Sequence, residues 1–108
     1  MSSNAKRMKK KSKTLVQVED ILPIVVEECA EVIQAIQKIN RFGIDGYSPT
    51  TPITTNKDHL IEEVGDLLYV IGYMIERGYL GEDAEERLEK AFKAKETKLR
   101  KWSPHLYE

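Results

Sequence analysis

The chain has 108 residues, enough for one small domain, with 41% hydrophobic and 32% charged residues. Its 17 Lys and Arg against 18 Asp and Glu leave a formal net charge of −1, which argues against a dedicated nucleic-acid binder. One cysteine, Cys29, excludes an internal disulfide, no apolar run nears the roughly 20 residues that span a bilayer, and two distant histidines offer no zinc site.

In chain order, residues 1–13, "MSSNAKRMKKKSK", read as a flexible basic arm: a solubilising tail or a contact for nucleic acid or phosphate. No signal-peptide core follows, so the expected location is cytoplasmic. Residues 14–108 read as the folded domain. A helical pattern starts near Leu15 or Leu22 and runs to about Phe42, with Pro23 either in a first turn or at a kink. Val25, Cys29, Val32, Ile36 and Ile39 recur at helix spacing, and Gly43 stops the run. The segment "GIDGYSPTTPITT", Gly43 to Thr55, cannot be helical, and loops of this length in a small domain are often functional. Asn56 is the expected N-cap of a second helix that runs to Arg77 and stops at Gly78. After the turn "GYLGE", Asp83 and Glu86 form a capping pair for a last helix, which Pro104 ends. Ala84, Leu88, Ala91, Phe92, Leu99 and Trp102 give that helix an apolar stripe. No strand alternation competes. The expected fold is all-α: an antiparallel helical bundle with an extra short helix near the start, completed by homo-oligomerisation because so small a chain buries little by itself.

One pattern occurs twice. "VEECAEVIQAI" (Val26 to Ile36) aligns with "IEEVGDLLYVI" (Ile61 to Ile71), so that Glu63 stands 35 positions after Glu28 and Asp66 aligns with Glu31. On a wheel of about 100° per residue with Glu28 at zero, the apolar residues of the first helix span roughly 20° to 160°. Glu28 borders that stripe, and Glu31 lies about 60° to its other side. Glu63 and Asp66 repeat this arrangement on the second helix, whereas Glu27 and Glu62 turn further toward water. Packed antiparallel, the helices bring Glu28, Glu31, Glu63 and Asp66 together. Four carboxylates repel and raise each other's pKa, so a cation is required, and a hard divalent ion such as Mg²⁺ takes oxygen ligands. A single helical Glu is ordinarily a solvated charge, and a coiled pair with interhelical salt bridges is the main competitor. That competitor is weakened because acid would face acid.

The residues "EECAE" and "EVGD" resemble the paired EExxE and ExxD motifs of the all-α nucleoside-triphosphate pyrophosphohydrolases, in particular the small single-domain MazG-like group. The resemblance covers roughly residues 22–102 and includes the "INRFG" ending of the first helix. It implies Mg²⁺-dependent hydrolysis (Mn²⁺ as a substitute) of a nucleoside or deoxynucleoside triphosphate to the monophosphate and pyrophosphate. It further implies metal ligation by Glu28, Glu31, Glu63 and Asp66, with Glu27 auxiliary, and a homodimer or homotetramer. Phosphoribosyl-ATP pyrophosphohydrolase shares the fold, but the Pro/Thr-rich segment after Gly43 departs from what is expected of that enzyme.

The chemistry asks for more than acids. A carboxylate must accept the proton of the attacking water; Glu31 is the candidate, with Glu28 or Glu27 as replacements. Cations must meet the phosphates. The last helix carries Lys90, Lys93, Lys95, Lys98, Arg100 and Lys101 after an acidic first turn, a polarity that also suits the helix dipole. Lys95 and then Lys98 are favoured for the substrate, with Lys38 and Arg41 as further candidates. Tyr69 and Tyr47 are candidate stackers for the base. Cys29 reads as core, Trp102 as core or interface, and His59 and His105 as ordinary surface or capping residues. The rival functions are a non-catalytic helical interaction module, which would release no pyrophosphate, and a nucleic-acid-associated protein acting through the basic arm.

Overall fold

A computed structural model describes residues 16–50 and 52–108; the arm expected at 1–13 lies outside them. The described residues form three helices and no strand: α1 (Val18–Phe42), α2 (Asn56–Glu76) and α3 (Ala84–Trp102), followed by a 3₁₀ turn at Pro104–Tyr107. The chain divides into two compact units, one up to Gly72 and one from Tyr73 to Glu108.

In the first unit, α1 begins at Val18, where the Gln17 N–H donates to Asp20 Oδ2 at 2.9 Å. This start lies between the two expected positions, and Leu15 itself is outside the described residues. Pro23 lies inside the helix, beyond the first turn, and the residues before it are continuous with α1, so no separate short helix precedes it among the described residues. A proline there withholds one N–H from the Glu19 carbonyl and crowds it, a cost confined to the first two turns of the helix. The helix ends as expected at Gly43, with φ 91° and its N–H on Ile39 O at 2.8 Å.

The start of α2 differs from the expectation. Thr55, not Asn56, is the N-cap: its Oγ1 accepts the Asp58 N–H at 3.2 Å, and its carbonyl accepts the His59 N–H at 2.9 Å. Asn56 is fully buried and serves the preceding segment instead. Its Nδ2 donates to Gly43 O at 2.9 Å, while the backbone N–H groups of Asn56 and Lys57 donate to Gly46 O and Ile44 O, each at 2.9 Å. The first-turn donors of α2 are therefore all satisfied, two of them by the chain that leaves α1. Gly46 fits this path because a Cβ there would collide with the Phe42 carbonyl. Among the described residues of this unit Ile21, Ala35 and Val70 are the buried apolar ones, and Ser48 is buried with them.

In the second unit, α2 ends in a Schellman arrangement around Gly78 (φ 76°). The Gly78 N–H donates to Ile75 O and the Tyr79 N–H to Met74 O, both at 3.0 Å. Asp83 occupies the N-cap position of α3, but its side chain makes no capping bond, so the expected pair with Glu86 does not form. Pro104 ends α3 as expected, and Arg100 lies over the Tyr107 ring at 4.1 Å. Met74 and Ala84 are buried, whereas most of the α3 stripe is open: Phe92 is 81% and Trp102 74% exposed. Trp102 is therefore not a core residue of the single chain.

Candidate metal centre

The buried face of α1 is rotated from the apolar stripe. Ile21, Val25, Glu28, Glu31, Val32, Ala35, Lys38 and Ile39 are buried or half-buried. On the same wheel they span roughly −80° to 60°, with Glu28 near the middle. The far edge of the apolar stripe, including Val26, Ile33, Ile36 and Cys29, is exposed. Cys29 is thus not core in this chain. On α2, His59, Leu60, Glu63, Leu67, Val70 and Met74 are likewise buried or half-buried, while Ile61, Gly65 and Leu68 are exposed. The inner glutamates lie within the buried faces rather than along their edges. Glu27 and Glu62 are exposed, as the wheel required.

One carboxylate oxygen each from Glu28, Glu31 and Glu63 lie within 4.8 Å of one another, all three residues half-buried. Asp66, one turn beyond Glu63, is exposed and is not among these three, although its charge acts on both glutamates of α1. Glu28 is pushed above the ordinary carboxylate range, first by partial burial and then by the charges of Glu31, Asp66 and Glu27. Glu31 is pushed up first by the close side-chain approach of Glu63 and by the Glu63 charge, then by partial burial and Asp66, with His59 opposing. Glu28 Oε1 and Glu63 Oε1 are buried without a hydrogen-bond partner. Two unsatisfied carboxylate oxygens in a cluster of three crowded acids are what a cation would relieve.

His59 belongs here and sequence reasoning missed it. Its Nε2 lies 3.0 Å from Glu63 Oε2, and the two side chains are only 18% and 15% exposed. The signal was present in the i, i+4 spacing of His59 and Glu63, which puts both on one helix face.

The candidate substrate residues are distributed differently. Lys38 is half-buried on the same face of α1 as Glu31 and has no carboxylate partner among the described residues. Tyr69 is 73% exposed, about 120° around α2 from Glu63. Lys95 and Lys98 are exposed on α3, in the second unit. There Lys90 pairs with Glu86 at 3.9 Å, Lys93 with Glu89 at 3.7 Å and Arg100 with Glu96 at 2.8 Å. Among the described residues Lys95 and Lys98 are left without such a partner.

No helix of the described residues is long and apolar enough to cross a membrane. No curated protein and no solved structure matches the chain significantly. The model of the MazG nucleotide pyrophosphohydrolase domain does match, over residues 16–107, a span that contains both glutamate-bearing helices and the segment that joins them. By that match the chain belongs to the MazG nucleotide pyrophosphohydrolase family.

Proposed function

We propose that the protein is a Mg²⁺-dependent hydrolase that converts a nucleoside or deoxynucleoside triphosphate to its monophosphate and pyrophosphate. The observation that carries this reading is the cluster of Glu28, Glu31 and Glu63 within a chain of this family. The donor set is all oxygen, and two of its buried oxygens lack partners, which suits a hard divalent ion better than zinc. Glu28, Glu31 and Glu63 would hold the ion, with Asp66 completing the set from its exposed position. Mn²⁺ is the natural substitute.

When bound, the ion supplies charge neutralisation for the triphosphate and for the leaving pyrophosphate. Glu31 accepts the proton of the water that attacks the α-phosphorus, and Glu27, exposed beside Glu28, helps to orient that water. Lys95, Lys98 and Lys38, none of them held by an ion pair among the described residues, contact the phosphates, and Tyr69 stacks on the base. The working form is a cytoplasmic homodimer or homotetramer of antiparallel helices. The apolar residues left exposed on α1 and α2 support that assembly.

Hydrolysis in ¹⁸O-water tests the route. Attack at the α-phosphorus puts the label in the nucleoside monophosphate, read by mass spectrometry. Label in pyrophosphate, or release of inorganic phosphate alone, contradicts it.

A further inference from the structure

Glu63 has two chemically equivalent oxygens with different surroundings. Oε2 lies 3.0 Å from His59 Nε2, whereas Oε1 is buried with no partner. As a carboxylate ligand Glu63 offers only acceptors, so the tautomer assigned to His59 in this contact carries its proton on Nε2. His59 itself is fixed from below. Its backbone N–H is held by Thr55 O at 2.9 Å in the first turn of α2, beside the buried Asn56 that ties this turn to Gly43. Donor and acceptor are one helical turn apart and both largely shielded from water, so the carboxylate plane of Glu63 is restrained before any ligand arrives.

Resting on the metal-centre reading above, we infer that His59 is a positioning residue for Glu63. By holding Oε2 it fixes the rotamer of Glu63 and leaves Oε1 as the oxygen that ligates the divalent ion. Carboxylate ligands held by such outer partners bind metal more tightly than free ones, and loss of the partner typically weakens binding about 10- to 100-fold. His59 is assigned no contact with substrate or metal.

The test uses Mn²⁺ as the probe on the full chain, with binding followed by electron paramagnetic resonance and folding by circular dichroism. His59→Leu removes the donor and fills similar space. His59→Gln keeps an N–H donor near the position of Nε2. The inference expects Mn²⁺ binding to weaken about 10- to 100-fold in His59→Leu with the helical spectrum retained, and to recover most of that loss in His59→Gln. Wild-type affinity in His59→Leu overturns the inference while leaving the metal centre standing. Equal weakening in both variants also overturns it, because packing rather than donation would then explain the effect. A pulsed spectrum of the wild type with a directly bound nitrogen overturns it in favour of ligation by His59. Absence of Mn²⁺ binding to the wild type overturns the metal centre itself, and the inference with it.

Discussion

Glu28 and Glu31 hold protons more tightly in the folded chain than an ordinary carboxyl of pKa 4.5 does. Between that value and their raised values the folded state binds more protons than the unfolded state, so stability falls as pH rises through this window. The contribution is fully present below the ordinary value and lost above the raised one. Metal-free protein should therefore melt at a lower temperature as pH rises above about 4.5, in the part of the profile set by these two groups. Mg²⁺ competes with protons for the same oxygens. Its stabilising effect should grow over the same range, and a thermal shift independent of pH would contradict the cluster. Glu31→Gln removes one of the repelling charges. It should raise the melting temperature of the metal-free protein and abolish the Mg²⁺ shift. At this scale the sequence was informative: four acids at matched wheel positions pointed to Glu28, Glu31 and Glu63. His59 escaped because a lone histidine carries little signal until the face it shares with Glu63 is seen to be buried. Asp66 and Glu31 were treated as equivalent by alignment, yet one is exposed and the other lies in the cluster.

At the scale of the helices, the junction before α2 is where structure and sequence pattern part. Thr55 and Asn56 are both good capping residues, and composition alone does not choose between them. The choice is made by Gly43, whose carbonyl takes the Asn56 amide and draws that side chain away from the helix end. Thr55→Ala should then cost about 1 kcal/mol, as for an ordinary N-cap. Asn56→Ala should cost more, about 2 kcal/mol, because it removes a buried hydrogen bond and leaves a small cavity. Chemical denaturation of the two variants measures the difference, and a larger loss for Thr55→Ala would return Asn56 to the capping role. The helix stops were easier to read. Gly43 and Gly78 both adopt positive φ, and each closes a helix where the apolar pattern ends.

At the scale of the whole molecule, much apolar surface is left open. On α1 it includes Val26, Ile33 and Ile36, and on α2 Ile61 and Leu68. Gly65 and Gly72 share the exposed side of α2, and a Cβ added at either would meet nothing within 4 Å. A glycine inside a helix is about 1 kcal/mol worse than alanine, so open space in the single chain gives these two no local reason. Close approach by a second copy would supply one. Light scattering should accordingly give a mass at least twice the 12.4 kDa of the chain. Gly72→Ala should weaken that association; a more stable protein of unchanged mass would remove glycine from the interface. The apolar stripes were legible in the sequence, but which part of each turns inward was not. Hydrophobic periodicity marks what avoids water without saying whether the cover comes from the same chain or another. Cys29 was misplaced for that reason, and of the two readings of Trp102 only the interface is left.

The proposed Mg²⁺-dependent pyrophosphohydrolysis by this glutamate cluster is a property of the full chain that one assay can read. It is tested most directly by assaying pyrophosphate release from a panel of nucleoside and deoxynucleoside triphosphates, with wild-type protein and Glu63→Gln side by side. The wild type should release pyrophosphate from at least one nucleotide, dependent on Mg²⁺, and the variant should lose about 100-fold or more of that activity. No release from any nucleotide, or equal release by Glu63→Gln, would contradict it.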